Sequence, residues 1–231
     1  MLIASPLFCP AARVLAFAVE LRRTVPGENA VVELKFSKLS PYVRKVNIVA
    51  HEHGLAERIR LTPLDTRAEP EKLTPLNPLT KIPVLITDAG DAIYDSPVIC
   101  EYLDAEFGKH RLLPAHGARR WQIMTMAALA DGLLDAALLV RHERARPADR
   151  QSAEWTELHL RKVHLALDHF ERTVDSFGPD LDMAQVGVGA ALGYIPLRLL
   201  DLEGLPKWPR LKAWYTVQSQ RPSFKNSAPV L

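Results

Sequence analysis

The sequence predicts a small α/β unit followed by an all-helical unit, and three observations indicate this fold class. Short apolar runs bounded by Gly, Pro and Asp are concentrated in residues 31–107. Two Ser-Pro pairs in the same stretch stand where helices would begin. Beyond residue 117 strand patterns almost vanish, and apolar residues recur at the spacing typical of helices.

The first strand and helix form the centre of the predicted fold. Residues 32–36 alternate as a strand does, and a helix beginning at Ser40-Pro41 follows after a turn. Serine is a favoured N-cap residue, and proline suits the first helical position because its missing N–H would have no partner there. Gly54 is suited to end this helix.

The remaining elements of the α/β unit follow at regular intervals. We expect a strand at residues 58–61 and then a proline-rich stretch that permits at most a short helix. Lys81-Ile82-Pro83 leads into a strand through residue 87, and a hairpin turn at residues 88–91 returns the chain as a strand at residues 92–94. A helix then starts at Ser96-Pro97 and ends at Gly108.

The second unit is predicted to be a helical bundle at residues 118–231, after a linker at residues 108–117. Residues 121–140 are apolar enough to resemble a membrane span. Asp131 and Asp135 argue against that interpretation, because an aspartate near the centre of a span costs about 2.5–3.5 kcal/mol. We therefore expect a buried helix of a soluble bundle.

Three further helices complete this bundle. One carries apolar residues at helical spacing between Trp155 and Val174. Another begins with the capping-box pattern of Asp182 and Gln185 and contains three glycines, which we interpret as sites of close packing. The last helix is predicted to end before Pro222.

Composition narrows the classes of partner. The 29 Lys and Arg residues nearly balance the 27 Asp and Glu residues, leaving a net charge of +2. This balance provides no electrostatic basis for binding nucleic acid or a membrane surface. Small molecules or copies of the same chain are the expected partners.

Cysteine and histidine positions predict no metal site. Cys9 and Cys100 form neither a metal-ligand spacing nor a disulfide framework, which favours a reducing compartment and a cytoplasmic location. His51 and His53 lie two positions apart on a helix and point to different faces, without a third ligand nearby in sequence. We expect both histidines to be surface residues.

Residues 1–30 match no element of this pattern. Prolines interrupt their apolar run and no basic residue precedes it, so the segment is a poor secretory signal. The stretch Cys9-Pro10-Ala11-Ala12-Arg13 superficially resembles a redox-type turn, but no convincing strand precedes it and we treat it as coincidence. An extension, a short helix at residues 11–23 and an upstream start in the translation remain open alternatives.

The order of elements resembles a thioredoxin-like domain, and with a helical unit behind it the chain resembles the cytosolic-type glutathione S-transferases. The resemblance is bacterial-like, has a serine-type active-site turn, and covers about residue 31 to the end. The stretches that carry it are Ser40-Pro41-Tyr42-Val43-Arg44-Lys45-Val46, Lys81-Ile82-Pro83-Val84-Leu85, Asp95-Ser96, and residues 206–223 with their Trp and Arg-Pro-Ser. It implies a thioredoxin-like, glutathione-binding domain at residues 31–107.

The resemblance implies a role for each matching residue at the thiol. Ser40 would donate a hydrogen bond to the glutathione sulfur, helped by the positive end of the helix that it caps. Ser37 lies on the same turn and is the alternative. The backbone of Ile82, before a cis Pro83, would pair with the glutathione backbone as an added strand does.

The rest of glutathione would meet three other side chains. Ser96 and its helix N-terminus would bind the γ-glutamyl carboxylate, since helix starts bind anions. Asp95 would take the glutamyl ammonium, and Lys81 could reach the glycyl carboxylate. Taken one at a time, these residues could equally be a cap, a turn residue and a surface lysine.

The second substrate is the least determined part of the site. An apolar pocket could form from Leu39, Tyr42, Trp121 and Met124 where the two units meet, although an apolar helix face is more often core.

The resemblance implies a homodimeric detoxification transferase that conjugates glutathione, its co-substrate, to a small hydrophobic electrophile. The alternatives are a glutathione-dependent isomerase or dehalogenase on the same site, and a transferase-like protein that binds glutathione without turnover.

Overall fold

The computed structural model of the protein describes residues 32–202, 205 and 207–229. The extension, the turn at Cys9 and the short helix considered for residues 11–23 lie outside the described residues. The described chain folds as a thioredoxin-like mixed sheet with helices, followed by a helical region, as the sequence predicts.

The elements of the first unit follow the predicted order. Within the described residues they are β1 (Val32–Phe36), α1 (Pro41–Glu52), β2 (Ile59–Pro63), α2 (Pro70–Leu73), β3 (Val84–Ile86), β4 (Ala92–Ile93) and α3 (Ser96–Glu106). β2 lies one to two residues later than predicted, because a short 3-10 turn occupies Ala56–Arg58. β3 begins one residue after Pro83 rather than on it.

The sheet has the strand order β2-β1-β3-β4. β1 and β2 are parallel, and β3 pairs antiparallel with both β1 and β4. The alternating side chains of β1 place Val32 and Leu34 in the core, which is the face that α1 and α3 cover.

Helix α1 starts and stops where the sequence predicts. Ser40 is the N-cap, and its hydroxyl accepts a hydrogen bond from the backbone N–H of Val43 at 3.3 Å. Pro41 occupies the first helical position. Gly54 follows the helix with φ of 68°, a left-handed conformation that glycine adopts without a Cβ penalty.

The expectation that both histidines of α1 lie on the surface is wrong for His53. Its side chain is 2% exposed, and its Nε2 atom lies 2.9 Å from the carboxylate of Asp104 on α3. Gly108 packs directly on the same ring, at a position where a Cβ would lie 2.3 Å from it. The residue is buried because α3 and the chain after it close over the end of α1, which no local pattern reveals.

The second unit consists of helices that surround a separate core. Within the described residues they are α4 (Ala118–Arg144), α5 (Ala153–Thr173), α6 (Met183–Arg198), α7 (Pro209–Gln218) and α8 (Pro222–Asn226). The helix predicted to be the last, α7, ends before Pro222 as expected, and one more short helix, α8, begins at Pro222. Trp155, in the first turn of α5, is 44% exposed, unlike the buried Val163, Leu167 and Phe170.

Helix α4 is long and apolar enough to cross a membrane by length and composition alone. In the structure it packs along α5 and α6, with Leu133, Leu134 and Ala137 buried among them. Asp131 forms an ion pair with Lys45 of α1, and Asp135 accepts a hydrogen bond from Tyr42. α4 is therefore a core helix of the folded chain.

The predicted cap at Asp182 forms, but only half of the capping box does. Asp182 accepts a hydrogen bond from the backbone N–H of Gln185 at 3.0 Å. The Gln185 side chain donates to the carbonyl of Gly178 at 3.1 Å instead of returning to the cap residue. It thereby ties the start of α6 to the preceding loop.

Candidate active site

Strand register brings three separated segments to one end of the sheet. The pairing of Lys35 with Val84 places the start of β3 beside the end of β1. The pairing of Leu85 with Ile93 places the end of β4 beside the start of β3. The turn after β1, the Ile82-Pro83 loop before β3 and the chain entering α3 therefore share this edge.

Ser40 stands at this edge as the N-cap of α1. Its oxygen accepts the cap hydrogen bond through a lone pair, which leaves the hydroxyl proton free for another acceptor. The backbone N–H groups of the first turn and the helix dipole make the site favourable for a negative charge. The arrangement can stabilise an anion such as a thiolate.

Ser37 lies three residues earlier on the same turn. Its carbonyl accepts a hydrogen bond from the backbone N–H of Ser40 at 3.2 Å, which holds the turn closed. Ser37 follows the last residue of β1 and caps no helix. Its hydroxyl therefore lacks the helix-terminus field that surrounds Ser40.

The loop before β3 is held in shape by Asn77. This side chain is 1% exposed, donates to the carbonyl of Lys81 at 2.9 Å and accepts from the backbone N–H of Leu79 at 3.0 Å. The Ile82–Pro83 peptide bond that follows is cis. Ile82 precedes the ladder that starts at Val84, so its backbone groups remain available to a ligand.

Helix α3 begins without a side-chain cap. Asp95 is the N-cap residue, and no side-chain hydrogen bond caps this helix. Ser96 is the first helical residue and is 1% exposed, so the interpretation of Ser96 as a simple cap does not describe this structure. Asp95 itself is exposed, as is Lys81 at the neighbouring loop. An uncapped N-terminus is a site that an anion can complete.

A cavity of about 280 Å³ adjoins the serine turn. Its walls come from the turn, the first turns of α1, the α6 residue Tyr194 and the chain after α8. Leu39, Ser37 and Ser40 all line it. The cavity thus provides space directly beside the hydroxyl that caps α1.

Of the four residues considered for the second substrate, Leu39 lines this cavity and the other three do not. Tyr42 packs with the helical core and donates its hydroxyl to Asp135, and Met124 packs partly buried against the core of the first unit. Trp121 is 63% exposed on the outside of α4.

Tyr42 is unsuited to act as an acid at neutral pH. Burial and the hydrogen bond to Asp135 raise the pKa of its phenol far above the ordinary value. The phenol therefore remains protonated. It holds α1 to α4 at the residue that follows Ser40 and Pro41.

The sequence analysis missed two residues near the site. Asn77 lies in the proline-rich stretch, and the turn pattern of Asn before Pro is a signal that could have indicated its role. Arg44 was visible only as one residue of the serine-turn motif, yet it lines the cavity and is 6% exposed. Among the described residues, no cluster of three or more His, Cys, Asp or Glu side chains is arranged to hold a metal ion.

Comparison with known proteins identifies relatives of this chain by sequence. The family model for the N-terminal domain of glutathione S-transferases matches residues 39–106. The uncharacterised GST-like protein YibF of Escherichia coli K12 is 32% identical over 170 residues, which cover 72% of this chain and 83% of the relative.

Solved structures extend the similarity to nearly the whole chain. A glutathione transferase family member from Pseudomonas fluorescens Pf-5, with bound glutathione, is 39% identical and matches with a TM-score of 0.82 over 87% of this chain and 100% of that chain. The structure of a Pf-5 family member with bound S-(propanoic acid)-glutathione matches with a TM-score of 0.78 at 39% identity, over 86% of this chain and 100% of that one.

Proposed function

The chain belongs to the glutathione S-transferase family, and from this membership we propose that it binds glutathione and transfers its thiolate to a small hydrophobic electrophile. The observation that carries the proposal is the position of Ser40, whose hydroxyl caps α1 beside an open cavity. The bound glutathione of the Pseudomonas relative supports the choice of thiol.

Ser40 is proposed as the hydrogen-bond donor to the glutathione sulfur, with Ser37 as the less favoured alternative. A free thiol has a pKa of about 8.5 and is only a few per cent ionised at pH 7. Lowering this pKa by two units makes thiolate the majority form and requires about 2.7 kcal/mol of differential stabilisation. A charge-assisted hydrogen bond together with a helix N-terminus supplies about this amount.

The transfer step needs no further catalytic group on the protein. The thiolate lone pair attacks an electrophilic carbon and forms the S–C bond. A leaving group departs with the electron pair of its own bond, or, on an activated alkene, the resulting carbanion takes a proton from water. Catalysis then consists of stabilising the thiolate and holding both reactants close together.

The remaining contacts to glutathione are proposed along the same edge of the sheet. The backbone of Ile82 before Pro83 would pair with the cysteinyl portion, as an added strand does. The open N–H groups at Ser96 would bind the γ-glutamyl carboxylate, and Asp95 would bind the ammonium. Lys81 is exposed beside this loop and would reach the glycyl carboxylate.

The electrophile is proposed to enter the cavity beside Leu39. The S-(propanoic acid)-glutathione bound by the Pf-5 family member supports room for a substituent on sulfur in this kind of site. Tyr42 would contribute through its hold on α4, whereas Met124 and the exposed Trp121 are now weaker candidates for the pocket.

A homodimer in the cytoplasm, acting in detoxification, completes the proposal. A second copy would cover exposed apolar side chains such as Val98 of α3, which is 51% exposed, and Trp121 of α4, which is 63% exposed. Light scattering on the purified protein should give twice the chain mass, and a monomer mass would contradict the dimer.

The test is the ultraviolet difference spectrum of bound glutathione across pH. In the parent protein the thiolate band should titrate well below pH 8.5, and in Ser40→Ala the titration should move upward by one unit or more. Ser37→Ala is the matched control, and it should leave the titration near the parental value. An upward shift in Ser37→Ala alone would transfer the role to Ser37.

Turnover separates the proposed enzyme from its alternatives. We expect conjugation of glutathione to 1-chloro-2,4-dinitrobenzene, with a slower rate in Ser40→Ala. Bound glutathione with an unshifted thiol and no conjugation would favour the binding protein without turnover. Activity confined to isomerisation or dehalogenation substrates would favour those reactions on the same site.

A further inference from the structure

The cavity beside Ser40 lies on the opposite side of the serine turn from the proposed glutathione contacts. β1 stands between β2 and β3 in the sheet. Leu61 of β2 lines the cavity, whereas Ile82 precedes β3 and Ser96 begins the helix that follows β4. A molecule in the cavity and glutathione can therefore both reach Ser40 without occupying the same space.

Two side-chain amides line this cavity. Asn47 is half-buried on α1, and Asn226 is exposed as the last residue of α8. Neither side chain forms a hydrogen bond with another described residue, and neither is a buried polar group that lacks a partner. Their N–H and carbonyl groups are thus accessible where the two residues border the cavity.

The position of Asn47 within α1 is not explained by the stability of the helix. Asparagine is less favourable than alanine in a helix interior, because its amide competes with the backbone for hydrogen bonds. The residues on either side, Val46 and Ile48, are buried in the core. Asn47 alternates with them toward the cavity, where its amide has no partner within the described chain and is available to a ligand.

The other polar side chains of the cavity do not compete for this role. Among the described residues that line it there is no Asp or Glu to bind a cation. Arg44 is 6% exposed and donates from Nη2 to the hydroxyl of Tyr215, and Lys38 is exposed to solvent. An amide both donates and accepts hydrogen bonds, so the two asparagines match a neutral group that does the same.

The spacing along α1 sets the length of the ligand. Asn47 follows Ser40 by seven residues, which places both on one face of the helix and about 10 Å apart along its axis. The Asn47 side chain leans back toward the start of the helix, which shortens this gap. We propose that the electrophile carries a neutral hydrogen-bonding group, such as a carboxamide, one aromatic ring away from its reactive carbon, and that Asn47 and Asn226 determine this specificity. This inference rests on the proposed function, because it takes Ser40 as the partner of the reacting sulfur.

The test uses three S-benzylglutathione adducts with the same number of heavy atoms, which carry a carbamoyl, a carboxyl or an isopropyl group at the para position. Calorimetry measures the dissociation constant of each adduct and of glutathione. We expect the parent protein to bind the carbamoyl adduct about tenfold more tightly than the isopropyl adduct, since an isopropyl group removes the amides from water without bonding to them. The carbamoyl adduct should also bind more tightly than the carboxyl adduct.

Two variants test the amides themselves. Asn47→Leu and Asn226→Leu each replace an amide by an apolar side chain of similar size, and each should lower the preference for carbamoyl over isopropyl by about threefold or more. Asn47→Leu should in addition bind the isopropyl adduct more tightly than the parent does. The affinity of both variants for glutathione should stay near the parental value, whereas a folding defect would weaken every ligand alike.

The matched control is Gln220→Leu, which removes an exposed amide that does not line the cavity. It should leave the preference for the carbamoyl adduct unchanged. Loss of the preference in this control as well would remove the two asparagines from the role.

The outcomes distinguish this inference from the proposal on which it rests. Equal binding of the carbamoyl and isopropyl adducts by the parent protein would overturn it while leaving glutathione transfer intact, and this comparison requires no variant to fold. Tighter binding of the carboxyl adduct would overturn the assignment of a neutral group, and a preference that persists in both asparagine variants would overturn the role of the amides. Failure to bind glutathione or any adduct would overturn the proposed function itself.

Discussion

Asp104 shows how one buried side chain joins the two units. Its carboxylate accepts hydrogen bonds from the backbone N–H groups of Leu112 at 2.9 Å and Leu113 at 2.8 Å, on the chain that leads to the helical unit. Burial raises the pKa of this carboxyl, but the contact with His53 and the two backbone hydrogen bonds outweigh burial and hold the pKa below its ordinary value. Asp104 therefore stabilises the junction in its ionised form.

We predict that Asp104→Asn lowers the free energy of unfolding by about 1.5–3 kcal/mol at pH 7, because hydrogen bonds to a charged group are lost. A carboxyl group whose pKa is lower in the folded state than in the unfolded state, where it is about 3.9, stabilises the fold at pH values above about 3.9. This stabilisation is lost as the pH falls through the pKa of the folded state. Urea unfolding at several pH values measures the difference in the free energy of unfolding between parent and variant. This difference should shrink between about pH 5 and about pH 3, where free carboxyl groups titrate.

The matched control for this prediction is Asp180→Asn, since Asp180 is exposed on the loop before α6. It should change stability by less than about 0.5 kcal/mol. A stability difference for Asp104→Asn that stays constant from pH 7 to pH 3 would contradict the role assigned to its charge.

At the scale of elements, the glycines of helix α6 allow neighbouring helices to pack closely against its backbone. A Cβ on Gly189 would lie 2.2 Å from Cε1 of Phe224, whose ring is 1% exposed and belongs to α8. A Cβ on Gly193 would meet the guanidinium of Arg44. These glycines confirm the interpretation of close packing and let α8 and α1 lie against the backbone of α6.

We predict opposite effects for the same substitution in two helices. Gly189→Ala should destabilise by about 1–3 kcal/mol, because the ring cannot move without disturbing the core. Gly132→Ala in α4 should stabilise by about 0.5–1 kcal/mol, since nothing lies within 4 Å of its new Cβ and alanine favours a helix. Thermal unfolding of the two variants beside the parent measures both signs, and a stabilised Gly189→Ala would contradict the packing argument.

At the scale of the molecule, α1 carries the contacts that unite the two units. It packs against α3, α6 and α8, and Lys45 crosses to Asp131 of α4. Burial raises the pKa of Asp131 even though Lys45 opposes that rise. At the C-terminal end of α1, Glu52 accepts hydrogen bonds from Arg221 and Ser223. Contacts from both halves of α1 thus hold this helix, and the serine turn before it, against the helical unit.

We predict that Lys45→Met destabilises the whole chain by about 3–5 kcal/mol, because it leaves the Asp131 carboxyl buried without its partner. The double variant Lys45→Met with Asp131→Leu should recover most of this loss, since well-packed apolar residues can replace a buried ion pair. Urea midpoints of the parent, both single variants and the double variant provide the measurement. Strictly additive effects would show that the pair does not couple the two units.

The sequence by itself determined the order of the elements and several of the points where helices begin and end. Ser40 as a cap, Gly54 as a stop and the cap at Asp182 depend on the chemistry of a few adjacent residues, and all three form as predicted. The family resemblance rested on the same short motifs. Local preferences of this kind act within one or two turns, so they can be read from a linear chain.

Only the tertiary structure decided what surrounds each side chain. His53 is buried because α3 closes over α1, and Arg44 lies in a cavity because chain segments distant from it in sequence, at Tyr194 and Tyr215, fold against it. Trp121 is 63% exposed although it begins the most apolar stretch of its helix. Burial and pairing arise from contacts between residues far apart in the sequence, and no periodicity within a single segment determines them.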